Sequence, residues 1–117
     1  MAITITEIQF NEILPFWRDF LWKDRQTTIE PTSAIGPDGS IDMKWLSAIP
    51  LFWKLECERQ IGGVVSGLLM HEKSVRLRGL WISPESRRQG FAKKLLEQVE
   101  LAAVDRNLFL LWTMARG

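Results

Sequence analysis

A chain of 117 residues, 46% hydrophobic and 25% charged, has the composition of one folded domain with room for a modest core. Lys and Arg number 15 against 14 Asp and Glu, so the broad positive field that non-specific nucleic-acid binding needs is lacking, and any electrostatic function must be local. The one cysteine, Cys57, excludes an intramolecular disulfide and suits a reducing compartment. The opening MAITITEIQ has no basic flank leading into an apolar run, and no apolar stretch approaches the roughly 20 residues of a membrane-spanning helix. A cytoplasmic protein without membrane or nucleic-acid partners is expected.

Ile3 and Ile5 alternate with Thr4 and Thr6, which predicts a short first strand with one buried face. From Phe10 the apolar residues Phe10, Ile13, Leu14, Phe16, Trp17, Phe20 and Leu21 recur at helical spacing, with Pro15 expected to kink or delay the helix. Residues 23–40 carry Pro31, Gly36, Pro37 and Gly39 and read as a long loop. Asp42 can cap a second short helix running from Met43 towards Ile49, which Pro50 ends before a strand over residues 51–57. Glu58, Arg59 and Gln60 form a turn into a second apolar strand over residues 61–70, making an antiparallel hairpin. A third strand covers residues 75–82.

The period then changes. Phe91, Ala92, Leu95, Leu96, Val99, Ala102 and Ala103 share one helical face, opposite Lys93, Lys94, Glu97 and Glu100. Residues 108–112 form an uninterrupted apolar run, expected to be a strand buried on both faces and parallel to the strand before the helix. The order β-α-α-β-β-β-α-β defines an α/β (α+β) domain with a mixed central sheet, spanning residues 1–117 as a single unit.

Chemistry concentrates between the strand ending at Ile82 and the helix beginning near Gly90, in Ser-Pro-Glu-Ser-Arg-Arg-Gln-Gly-Phe-Ala. The first amides of a helix lack internal partners and sit at the positive end of its dipole, so an anion is favoured there. Gly90 and Ala92 let phosphate oxygens approach the backbone, and Arg87 and Arg88 add charge beside them. Pyrophosphate suits this turn better than monophosphate. The competing reading is that Gly90 and Ala92 only allow tight helix packing. The nucleoside-triphosphatase loop and the three-glycine dinucleotide fingerprint are both absent.

The stretch Leu80-Trp81-Ile82-Ser83-Pro84-Glu85-Ser86-Arg87-Arg88-Gln89-Gly90-Phe91-Ala92 resembles the central motif of the GNAT superfamily of N-acetyltransferases, Arg/Gln-x-x-Gly-x-Gly/Ala, with strand, proline and helix in register. The resemblance implies that acetyl-CoA (coenzyme A) is the cosubstrate, with no metal. It implies that amides from Arg88 through Gln89, Gly90, Phe91 and Ala92 to Lys93, beside Arg87, hold its pyrophosphate. The backbone of Leu80, Trp81 and Ile82 would pair with the pantetheine arm like an added strand. Gly79, isolated within a strand, marks a bulge whose freed amide can polarise the thioester carbonyl.

Transfer to an amine needs a base to take the ammonium proton. Glu56 and Glu72 are the candidate catalytic residues, with Glu58 and His71 beside them; all four read more simply as solvated strand-end side chains. Cys57 reads as a small hydrophobe rather than a nucleophile. Among six tryptophans, Trp17, Trp22, Trp45 and Trp53 flank the long loop; most are expected in the core, and some, with Glu30, are candidates to line an acceptor pocket. Two departures from the family stand out: the sequence lacks tyrosine, the family's frequent leaving-group acid, and it lacks the further helix and two strands that usually follow the fifth strand. The expected activity is acetyl transfer to a primary amine of a small molecule or peptide, the alternative being a catalytically impaired coenzyme A binding or assembly module. The apolar last strand is expected to be exposed at an edge and to pair in a homodimer.

Overall fold

The computed structural model describes residues 2–26, 28–32, 40–41, 48–70, 74–106 and 109–111. Strand β1 (Ile3–Ile8) runs antiparallel to β2 (Ile49–Cys57), β2 to β3 (Gln60–Leu69) and β3 to β4 (Ser74–Ile82), while β5 (Phe109–Leu111) lies parallel to β4. The sheet order is β1-β2-β3-β4-β5, a mixed sheet as the sequence predicts. Strand β2 starts earlier than expected, because Ile49 and Pro50 already pair with Leu69 and Leu68. Proline is tolerated there as it lies one residue from the strand start, where a missing N–H costs least. Ile49 is therefore strand, not the end of a helix; the helix expected over residues 43–48 falls mostly outside the described residues. The β2–β3 turn holds Glu58 and Arg59 at φ +53° and +70°, the pair of left-handed residues that lets a two-residue loop match strand twist.

Both faces of the sheet are covered. On one, helix α2 (Phe91–Asp105) packs Phe91, Leu95, Val99, Ala102 and Ala103 on Trp53, Leu55, Val65, Val75 and Leu77. On the other, helix α1 (Phe10–Phe16) and the π-helical turn Trp17–Leu21 bring Ile13 and Trp17 onto Phe52, Val64 and Ile8. Alternation along β2 and β3 sends Phe52 and Val64 to the α1 face and Trp53, Leu55 and Val65 to the α2 face. Fully burying each large side chain contributes about 1.5–3 kcal/mol, so Phe91, Leu95 and Val99 together fix the helix firmly to the sheet.

Pro15 does not end α1. It lies inside the helix, where it supplies no N–H and its ring crowds the preceding turn. The chain responds by widening: the Trp22 N–H reaches the Trp17 carbonyl at 2.7 Å, a five-residue bond in place of the usual four.

Candidate active site

Strand β4 departs from regular pairing where the sequence places Gly79. Val64 faces Trp81 and Ser66 faces Arg78, leaving Val65 opposite both Gly79 and Leu80, a β-bulge. Gly79 stands at φ +66°, in the left-handed region. Its carbonyl accepts a 2.9 Å hydrogen bond from the indole Nε1–H of Trp17, a side chain with no solvent exposure. A Cβ on Gly79 would lie 2.2 Å from that same nitrogen. On its other edge, β4 is paired with β5 only through Ser74, Val75 and Arg76, so from Leu77 to Ile82 that edge carries no strand among the described residues.

Beyond Ile82 the chain turns tightly. The Ser83 N–H bonds the Gly62 carbonyl at 2.9 Å, tying the turn to β3, and Ser83 Oγ lies 2.8 Å from Ser86 Oγ across the short 3-10 turn Pro84–Ser86. Arg87 Nε donates to the Ile82 carbonyl at 3.4 Å and Gln89 Nε2 to the Glu85 carbonyl at 3.1 Å. These side chains occupy carbonyls and leave amides. Arg88 (φ +69°) and Gly90 (φ +76°) are both left-handed, an alternation that gathers successive N–H groups on one concave side. The first helical bond runs from the Lys94 N–H to the Gly90 carbonyl at 3.2 Å, and no side chain caps α2, so the amides of Phe91, Ala92 and Lys93 precede the ladder.

The packing explanation of Gly90 fails. A Cβ built there meets nothing within 4 Å. Glycine is required by the backbone angle, and the space beside it is open, a cradle suited to phosphate oxygens. The surrounding charge points the same way. The first turn of α2 contains no acidic residue and instead holds Lys93 and Lys94, against the preference of a helix's positive end. Arg87, Arg88, Lys93 and Lys94 are exposed and none is ion-paired among the described residues. Four cations around uncapped amides oppose local stability unless an anion joins them.

The other candidates are more scattered. Glu56 lies on β2, beside Thr4 and Ile61 and separated from β4 by β3; its Oε1 is 3.6 Å from Lys54 Nζ, which also approaches Glu12 Oε2 at 3.9 Å. Glu58 is exposed in the hairpin turn, and Cys57 is free and half-buried. His71, Glu72 and Trp45 lie outside the described residues. Trp53 is buried on the α2 face, so it does not share a pocket with Trp17 and Trp22. Trp81 stacks on Phe20 with centroids 4.7 Å apart, beside the open edge of β4.

Arg78 belongs to this region although no motif in the sequence marks it. The residue is 8% exposed, its guanidinium lies 4.7 Å from the Trp17 ring centroid and 5.1 Å from that of Trp22, and its Nη1 donates to the Glu30 carbonyl. Burial, with a smaller contribution from Arg25, lowers its pKa to about 10 against the opposing pull of Glu30, so it is a cation at neutral pH. The alternation of charged Arg76 and Arg78 with apolar Val75 and Leu77 was the available signal, since it puts a cation on a covered sheet face. Glu30 is linked to the Trp17–Trp22 pair through Arg78, which donates to its carbonyl and feels its charge.

A family model for the Acetyltransferase (GNAT) family matches residues 14–116, and the chain belongs to that family. No curated protein matches it. Among solved structures, it is similar to a predicted acetyltransferase with acetyl-CoA from Clostridium acetobutylicum (14% identity, 98% of this chain and 82% of that one, TM-score 0.62). It is also similar to the acetyltransferase AAC(6')-Iy in complex with the bisubstrate analog CoA-S-monomethyl-acetylneamine (17%, 99% and 82%, TM-score 0.65). A third is the ribosomal-protein-alanine N-acetyltransferase of Brucella melitensis (15%, 98% and 82%, TM-score 0.65). At such identities the likeness is one of fold.

Proposed function

We propose that this chain transfers an acetyl group from acetyl-CoA to a primary amine of a small molecule or peptide. The observation that carries the reading is the uncapped, cation-rich α2 N-terminus with open space beside Gly90. In this reading the amides of Arg88, Gln89, Gly90, Phe91, Ala92 and Lys93, with the Arg87 side chain, hold the pyrophosphate. The free edge at Leu80, Trp81 and Ile82 takes the pantetheine arm in strand-like pairing. The acceptor nitrogen forms the new C–N bond at the acetyl carbon, the C–S bond breaks, sulfur leaves as thiolate, and the proton shed by nitrogen passes to a base or solvent. Solved structures whose names mention an acetylneamine bisubstrate analog and a ribosomal-protein-alanine N-acetyltransferase support an amine acceptor.

A second reading, a coenzyme A binding module without turnover, is favoured by one observation: Glu56 is engaged with Lys54 and stands a strand away from β4. Calorimetric titration with acetyl-CoA and coenzyme A, followed by thiol-release assays across amines and peptide N-termini, separates the two. Binding with turnover supports transfer, and binding without it supports the module. Gly90→Glu, which puts a carboxylate into the cradle, is expected to weaken acetyl-CoA binding by at least about tenfold. Unchanged binding in that variant, or none in the native chain, refutes both.

A further inference from the structure

A bulge alone does not aim a peptide group; something must hold it. Gly79 sits in a left-handed conformation within a strand, and its carbonyl bonds the Trp17 indole, 62 residues away in sequence. No peptide bond among the described residues is cis, so in the Gly79–Leu80 unit the Leu80 N–H points opposite to that carbonyl, away from the indole. The indole is itself immobilised. Trp17 is fully buried, packs edge-on against Trp22 and Phe52, and carries the Arg78 guanidinium 4.7 Å from its ring centroid. It also stands at the start of the π-helical turn that closes this helical segment, where its own carbonyl accepts the Trp22 N–H at 2.7 Å, so its backbone is held as well as its ring.

We propose that Trp17 is a positioning residue: its indole N–H, bonded to the Gly79 carbonyl, fixes the Gly79–Leu80 peptide so that the Leu80 N–H polarises the thioester carbonyl of bound acetyl-CoA. The inference rests on the acetyl-CoA reading above. Trp17 touches no reacting atom, and its effect passes through one peptide unit. Trp22 and Phe52, which pack on the same indole, set its plane.

The test uses isotope-edited infrared spectroscopy of the thioester carbonyl of [1-13C]acetyl-CoA bound to the native chain and to two variants. One variant is Trp17→Phe; the other carries 3-benzothienylalanine at position 17, which keeps the shape of the indole and lacks its N–H, so the test survives if the Phe variant does not fold. Expected are a lowered carbonyl stretch in the native complex and a return towards the free value in the variant. Coenzyme A affinity should stay within about twofold, and kcat should fall about tenfold with KM for acetyl-CoA little changed, less than the 10²–10³ seen when an oxyanion donor is removed outright. If acetyl-CoA binds and the stretch is the same in the native and benzothienyl proteins, the positioning role is overturned while the cofactor reading stands. If the native chain does not bind acetyl-CoA, both fall.

Discussion

At φ +66°, Gly79 occupies a backbone region that costs other residues about 1–2 kcal/mol, and a Cβ there would meet the Trp17 indole at 2.2 Å. Strain and overpacking both oppose any side chain, and crowding a filled site adds about 1–3 kcal/mol. Gly79→Ala is therefore expected to lower stability by about 2–5 kcal/mol in urea titration, whereas a loss below about 1 kcal/mol would mean that the indole moves aside and the backbone also leaves the left-handed region freely. The bulge itself was readable from an isolated glycine in an apolar strand. Its partner was not, because no local pattern links residues 17 and 79; only the packing of α1 across the sheet brings them together. Arg78 was hidden for a similar reason: arginine on a strand reads as solvated unless the covering aromatic pair is known.

Helix α2 divides into a buried stripe and a solvent face, and the two should respond differently to mutation. Leu95 is fully buried, so Leu95→Ala is expected to cost about 2–5 kcal/mol and to weaken cofactor binding indirectly by loosening the helix start. Val104 is 63% exposed near the other end, and Val104→Lys should stay within about 0.5 kcal/mol. Thermal unfolding of both variants measures the contrast. This helix was the most legible element because fifteen residues sample the 3.6 period several times over. The widened turn at residues 17–21 was not legible: Pro15 announces a disturbance, but whether a helix kinks, stops or widens is decided by what its next turn packs against.

For the molecule as a whole, a net charge of +1 conceals a local concentration of Arg87, Arg88, Lys93 and Lys94 at one end of the sheet. Attraction between that cluster and a polyanionic cofactor is screened within about 8–10 Å at ordinary ionic strength. Acetyl-CoA affinity is accordingly expected to fall several-fold between low and half-molar salt in calorimetry, and a flat response would place binding elsewhere. Strand β5 lies at the end of the described sheet, next to β4 alone. Apolar edge strands favour pairing with another chain, so light scattering is expected to give the mass of a homodimer, and a monomer at high concentration would refute that expectation. The β2–β3 hairpin and the parallel placing of β5 beside β4 followed from the sequence because a tight turn or a helical crossover leaves few arrangements open, whereas the fate of an edge depends on neighbours that one chain does not encode.

The contact between Trp17 and Gly79 also bears on inheritance. Each residue forbids most changes in the other: a side chain at 79 has no room beside the indole, and loss of the indole leaves the Gly79 carbonyl without its donor. Neither position can drift alone. Descendants of this sequence are expected to keep the two together or to exchange them in a single step, so their joint variation among related genes would record whether the bulge has been held throughout the lineage.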